Sequence, residues 1–275
     1  MRRSNGCSSP TGLRAEAMVS DWPDCGFFRF PWHAETFRWA QAARHVARRV
    51  VRDPDMIARW LQCDGTWFVG VDALPSDKDG AVGSVPLAGP AADRIGPRQD
   101  LHPAQLSVTY PGYPRPRAGE SPAAFRFRLN RDAAHMDGVL AEGTPKRRFL
   151  RERHDWILGL PLTETSEGAS PLVVWAGSHQ ILQQALINAL GESPEDSWPE
   201  IDITEVYQAA RARCFEDCPR IPLFTRPGEA VLLNPFLLHG VSRWQAGATA
   251  SEEGRMVAYL RPESRESGQV WIRQK

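Results

Sequence analysis

A histidine and an aspartate two positions apart, His135-Met136-Asp137, are answered about a hundred residues later by Leu238-His239-Gly240. If these side chains are to meet at one point, the spacing restricts the backbone. In an extended strand, residues two apart point to the same face, whereas on a helix they diverge. The first pair therefore asks for a strand or strand end. The distant histidine must arrive on a separate strand.

The surrounding residues supply such elements. Phe125, Phe127 and Leu129 alternate with Arg126, Arg128 and Asn130, a period of two that predicts a strand leading into His135. Ala230-Val231-Leu232-Leu233 predicts another, after the turn signal Arg226-Pro227-Gly228-Glu229, and His239 follows it. Two imidazoles and one carboxylate that leave coordination positions open form the ligand set of non-haem Fe(II) oxygenases. An isolated His-x-Asp also arises by chance, and a lone histidine is more often a hydrogen-bonded structural group than a ligand. The neighbouring motifs decide between the two.

Residues 124 to 262 resemble the phytanoyl-CoA dioxygenase family of Fe(II)/2-oxoglutarate oxygenases. His135-Met136-Asp137 is similar to the family's proximal metal motif, and residues 156 to 162 (Trp-Ile-Leu-Gly-Leu-Pro-Leu) to its next core strand. Pro171 to His179 resembles the strand that ends in Pro-Gly-Ser-His, with Ala176 in place of the proline. Ala169-Ser170 stands where the family often has Asn-Gly. Residues 226 to 230 and 238 to 240 look like the lead-in to the distal histidine, and Gly254 to Leu260 like the closing strand with its arginine. That arginine, Arg255, comes later after the histidine than is usual; the turn-like stretch 245 to 254 accommodates the difference.

The resemblance implies an antiparallel double-stranded β-helix, a cupin-like jelly roll that is mainly β with flanking helices. It implies Fe(II) on His135, Asp137 and His239, with 2-oxoglutarate as co-substrate and O2 as oxidant. A buried far carboxylate of 2-oxoglutarate needs a partner, and a guanidinium fork matches it. Arg255 is the favoured anchor because it adjoins the apolar run Met256 to Leu260; Arg261, on the same face by parity, and Arg243 stand behind it, and Ser242 can add a hydrogen bond. The implied activity is hydroxylation or desaturation of a small organic substrate with release of succinate and CO2. Since Asp137 fills the carboxylate position, halogenation is disfavoured. The alternative is a non-catalytic cupin-like protein that binds a small ligand or a metal.

Residues 1 to 20 read as a flexible tail, with Met18 a possible start, and 21 to 275 as a single domain. A helical front spans 33 to 62, the jelly-roll core about 66 to 262, and a helical insert 180 to 217. In the front, Trp39, Ala43, Val46 and Val50 recur at helical spacing, and Asp53-Pro54 opens a second helix. Residues 66 to 71 and 107 to 110 predict strands. The Gly-, Pro- and Asp-rich segment 72 to 104 reads as a long loop able to overhang the pocket. In the insert, Ile181 to Leu190 form an apolar stripe ended by Gly191, and Asp202 with Glu205 suggests a capping box.

Lys+Arg and Asp+Glu balance at 33 each, which argues against nucleic acid or a membrane surface as partner. No apolar run approaches the roughly 18 to 20 residues of a membrane helix. The N-terminal Arg2-Arg3 is not followed by the apolar stretch of a secretory signal. Five cysteines at irregular spacing suit a reducing, cytoplasmic location; Cys214 and Cys218 have no second pair at zinc-finger spacing. His179 reads as structural, His33, His45 and His102 as exposed, and His154-Asp155 as a weaker metal pair. The arginines at 147, 148, 151 and 153 read as a solvated charged run that an anionic substrate can also contact. A small-molecule substrate is the expected partner; its identity and the oligomeric state are open. No Gly-x-Ser-x-Gly elbow supports hydrolase chemistry.

Overall fold

The computed structural model describes residues 22–96 and 101–274; the expected tail lies outside the described residues. Along the chain run α1 (Trp22–Cys25), β1 (Phe27–Phe30), α2 (Ala34–Val50), α3 (Pro54–Trp60), β2 (Leu61–Gln62), β3 (Trp67–Leu74), α4 (Pro90–Ile95) and β4 (Ala104–Thr109). Then follow α5 (Pro122–Asn130), β5 (Val139–Glu142), β6 (Arg147–Leu150), β7 (Ile157–Pro161), β8 (Leu172–Trp175), α6 (Ser178–Leu190) and a 3-10 turn at Glu195–Glu200. The last elements are α7 (Thr204–Asp217), β9 (Arg220–Leu223), β10 (Ala230–Leu233), β11 (His239–Val241), β12 (Arg255–Leu260) and α8 (Gly268–Trp271).

Seven strands form one sheet in the order β1-β10-β7-β12-β4-β3-β2, three form a second in the order β11-β8-β9, and β5 and β6 make a hairpin. All pairings between these strands are antiparallel. Alternation along each strand explains the layering. On β7, β10 and β12, Leu158, Leu160, Leu232, Met256, Ala258 and Leu260 face outward onto Trp39, Ala43 and Ala47 of α2. The intervening Ile157, Val231, Leu233, Val257 and Tyr259 face inward onto Leu172 and Val174 of β8. The other face of β8, Val173 and Trp175, packs on Leu182 and Leu186 of α6 and Tyr207 and Cys214 of α7. Two antiparallel sheets closed over one another and flanked by helices make a jelly roll, as expected.

Local signals account for the helical front. His33 caps α2 by accepting the Glu35 amide, and Asp53 caps α3 by accepting the amides of Asp55 and Met56. Trp39 and Ala43 are buried as the helical stripe requires, and the Trp39 indole donates to the Gly80 carbonyl at 2.8 Å.

Three expectations are corrected. Residues 122 to 130 are a helix, α5, and not a strand. Ser121 accepts the Ala124 amide and Pro122 occupies the first turn, a start signal that outweighs the alternation of aromatic residues after it. Phe127, lacking a sheet to bury it, is 54% exposed. Within 72 to 104, the described residues include the end of β3 and α4 and pack into the core instead of forming a loop over the site. Val82, Leu87, Ala91, Ala92 and Leu101 are buried and complete the outer core beside α2. The capping box at 202 to 205 does not form: Asp202 accepts the Thr204 amide at 2.9 Å, while Glu205 is exposed. Among the described residues, no helix is long and apolar enough to cross a membrane.

Candidate metal centre

The site is built on one rung between two distant segments. After α5, Asp132 and Ala133 take left-handed conformations, with φ of 50° and 54°, and swing the chain towards β11. The His135 amide then donates to the His239 carbonyl at 2.8 Å, and the His239 amide donates back to the His135 carbonyl at 3.0 Å. Residues that face each other across an antiparallel rung project to the same side. The two imidazoles therefore stand together, with ring centroids 4.7 Å apart. Asp137, two residues on, returns to that side: its Oδ1 is 3.2 Å from His135 Nε2 and 3.6 Å from His239 Nε2. One donor atom from each of the three residues lies within 4.8 Å of the others. Gly138, at φ 80°, ends the motif. A Cβ there would stand 2.1 Å from the Glu152 carbonyl oxygen, so this turn requires glycine.

Each ring is oriented from behind. His135 Nδ1 lies 3.0 Å from the Ala133 carbonyl, and His239 Nδ1 lies 2.9 Å from the Leu237 carbonyl. A carbonyl only accepts, so these contacts put the proton of a neutral ring on Nδ1 and leave the Nε2 lone pair towards Asp137. Burial, reinforced by the nearby His135, pulls His239 down to about 4, so it is uncharged at neutral pH. Burial alone would raise the carboxyl of Asp137. The Arg261 guanidinium and the two imidazoles beside it outweigh this and hold Asp137 well below the usual carboxylate range. Two imidazoles and a carboxylate on one side of a cup are donors that fit a divalent first-row metal.

The arginines separate into distinct places. Arg261 Nη1 donates to Asp137 Oδ2 at 3.2 Å, which engages the oxygen turned away from the histidines. Arg255, the first residue of β12, is buried on the inner face with Val257 and Tyr259. Its Nη1 has no hydrogen-bond partner, and neither does Thr109 Oγ1, on the residue directly opposite across the β12–β4 pair. Tyr259 connects the two regions: it hydrogen-bonds Arg255 and feels the charge of Asp137, although burial is the main force raising its hydroxyl pKa. Arg255 also lines a cavity with Thr165, Phe224 and Glu229; none of the three clustered ligands lines it.

Ser242 has a partner within the protein. Its hydroxyl accepts from Arg220 Nη2 at 3.3 Å, and Arg220 clamps Asp132 at 2.7 and 3.0 Å. This clamp ties β9 to the loop that delivers His135. The sequence reading missed it, and also Tyr207 of α7, whose hydroxyl accepts the Met136 amide at 3.0 Å.

The remaining histidines and thiols lie apart. His179 Nε2 contacts the Pro23 carbonyl at 3.1 Å, and burial holds its pKa below the ordinary value. His154 Nε2 pairs with Glu152 at 3.0 Å and is not among the clustered ligands. Cys214 of α7 is buried against α6, with Cys218 capping α7; a hydrogen bond with Cys218, then burial, push the Cys214 thiol up.

The fold and the site together define a jelly-roll protein with a His-Asp-His cluster able to hold a metal ion. No protein-family model matches the chain, nor does any curated protein. Among solved structures, it is similar to SnoK, a non-haem α-ketoglutarate-dependent carbocyclase from nogalamycin biosynthesis, at 12% identity and TM-score 0.48 over 88% of this chain and 81% of that one. EctD from S. alaskensis with bound Fe aligns at 16% identity and TM-score 0.43 over 91% and 78%. The epimerase SnoN, in complex with Fe3+, α-ketoglutarate and nogalamycin RO, aligns at 10% and 0.40 over 92% and 87%. At these values the likeness assigns neither activity nor substrate to this chain.

Proposed function

We propose that this protein is an Fe(II)- and 2-oxoglutarate-dependent oxygenase, of the phytanoyl-CoA dioxygenase type, that hydroxylates or desaturates a small organic substrate. The observation that carries the reading is the convergence of His135 Nε2, Asp137 Oδ1 and His239 Nε2 on one side of a β-walled cup. Both rings are turned for ligation by backbone carbonyls. The three residues would hold Fe(II). Arg255 would hold the far carboxylate of 2-oxoglutarate, since a buried guanidinium nitrogen without an acceptor fits an anion that arrives later.

When bound, iron, 2-oxoglutarate and O2 supply an oxidant for an unactivated C–H bond, with succinate and CO2 as co-products. The chain's own part is positional. Arg261 engages Asp137 Oδ2 and so presents Oδ1 to the metal. Ala133 and Leu237 fix the imidazole planes through their carbonyls. The apolar side chains Ile157, Val174 and Val257 keep water from the inner wall. Among the described residues, Cys63, Cys214 and Cys218 form no disulfide, which fits the cytoplasm in this reading.

Anaerobic addition of Fe(II) and 2-oxoglutarate to the apoprotein tests it. A weak visible charge-transfer band should appear for the wild type and be absent in His135→Ala and Asp137→Ala. A substrate screen by succinate release then identifies turnover. A band-less wild type defeats the proposal, and a protein that binds a small ligand or metal without turnover is the cupin-like alternative.

A further inference from the structure

Four arginines stand close together in and after β6, and the structure separates one from the rest. Arg147 pairs with Asp202 at 3.4 Å, Arg151 with Glu142 at 2.6 Å, and Arg153 with Glu195. Arg148 alternates to the other face of β6, towards α7. Among the described residues, no carboxylate lies within ion-pair distance of its guanidinium. It faces a second cation instead. Arg211 of α7 also has no acidic partner among the described residues, and its Nε is buried without any hydrogen-bond acceptor.

The two guanidinium groups share one aromatic ring. The Arg148 head lies 6.0 Å and the Arg211 head 5.5 Å from the centre of Tyr207. Cation–π contacts of this kind offset part of the desolvation but leave two like charges together. Burial, followed by the repulsion of Arg211, lowers the pKa of Arg148, as an uncompensated positive site should. In a chain whose formal net charge is +0, a half-buried cation pair without a carboxylate is a local exception.

Its place gives the exception a meaning. The Tyr207 hydroxyl accepts the amide of Met136, the residue between two proposed metal ligands. The cations therefore lie one tyrosine ring behind the metal loop. The His135 side chain is 43% exposed, so the centre has an open side. Phe127, 54% exposed, lies under Arg211 at 5.5 Å and offers an apolar surface at the same spot.

We infer that Arg148 and Arg211 form an oxyanion-binding site that takes a carboxylate or phosphate group of the substrate. Two planar forks match either group, and an anion held there leaves the uncharged remainder of the molecule free to lie along Phe127 towards the metal loop. The inference deepens the oxygenase reading and rests on it.

The test uses two probes, sodium pyrophosphate and sodium benzoate, titrated calorimetrically into the metal-free protein. At least one should bind the wild type saturably. Arg148→Gln and Arg211→Gln should each weaken that binding about tenfold or more, the loss expected for one charge-assisted contact. Arg148→Lys should restore part of it. Arg147→Gln, at an exposed residue paired with Asp202, should leave it unchanged. Pyrophosphate as the tighter probe points to a phosphorylated substrate, and benzoate to a carboxylate. No saturable binding by the wild type, or binding that survives both glutamine variants, overturns the site. The iron–2-oxoglutarate band separates the two readings. A wild type without the band defeats the oxygenase, whereas variants that keep the band and the probe affinity defeat only the anion site.

Discussion

The two faces of the seven-stranded sheet are made by alternate residues of the same strands, yet they follow different rules. The outer face of β4, β7 and β12 presents Leu106, Val108, Leu158, Leu160, Met256 and Ala258, all apolar and closed under α2 and the segment around α4. The inner face of β4 and β12 presents Ser107, Thr109, Arg255 and Tyr259, and two of these carry buried polar atoms without partners. An unsatisfied buried group costs about 1 to 3 kcal/mol. A sheet that accepts this cost on one face only has that face reserved for something other than stability. The outer face holds the molecule together, and in the proposed reading the inner face keeps its hydrogen-bonding capacity for a guest.

The sharpest way to break this contrast is at the cluster itself. Asp137→Ala should reduce Fe(II) affinity by more than about a thousandfold, the scale of losing the only charged ligand of three, while the protein stays folded. Equilibrium metal titration alongside circular dichroism checks both. On the outer face, Leu158→Ala should do the reverse. It should cost about 3 kcal/mol in denaturant unfolding by opening a cavity, and leave metal affinity per folded molecule unchanged. Arg255→Met is the most discriminating variant. If the inner face is reserved, the metal-free protein should be as stable as wild type or more so, because a buried guanidinium nitrogen without an acceptor has gone. Its affinity for 2-oxoglutarate should fall about a hundredfold while Fe(II) affinity holds. Equal weakening of both would transfer the anchoring role to Arg261.

Arg261→Met should act more mildly, weakening Fe(II) about tenfold through loss of one hydrogen bond to Asp137. Its metal complex should shift its visible band, which a purely structural role would not produce. The smallest effect concerns His179. Burial lowers its pKa in the folded state, so the unfolded chain binds the proton more readily. Its contribution is therefore present above the ordinary value near 6.5 and is lost as pH falls through the lowered folded value. Thermal stability should decline between pH 7 and 5, as far as this group contributes, and His179→Gln should flatten part of that decline.

What the sequence disclosed follows from how burial was encoded. Residues 230 to 233 were found from the residues themselves and 157 to 161, 172 to 175 and 255 to 260 through the family resemblance; all four are near-continuous apolar runs, because both faces of these strands are covered. The triad was legible because its spacing suits a strand end and the neighbouring motifs resemble those of a known family. Residues 122 to 130 misled because Phe125, Phe127 and Leu129 alternate without a sheet to receive them, while the informative signal was Ser121-Pro122. The buried part of 72 to 104 was hidden because Val82, Leu87, Ala91, Ala92 and Leu101 follow no period and are buried only by the tertiary fold. Ser242 was assigned by its position near His239, and the competing donor Arg220 lies on another strand. The separate role of Arg261 was equally hidden: parity gives a face, but not the position along it.

The paired amides of residues 135 and 239 carry one more consequence. The bite of the proposed chelate would be set by a rung of the β-ladder, with bonds of 2.8 and 3.0 Å running both ways, and not by the ion. An entering ion would find two of its three donors already at working distance, so little ordering entropy remains to be lost at capture. Hydrogen exchange at these two amides should thus be slow in the apoprotein and change little when metal is added or stripped. Uptake and release would then resemble a key entering a cut lock, with the wards formed when the chain first folded.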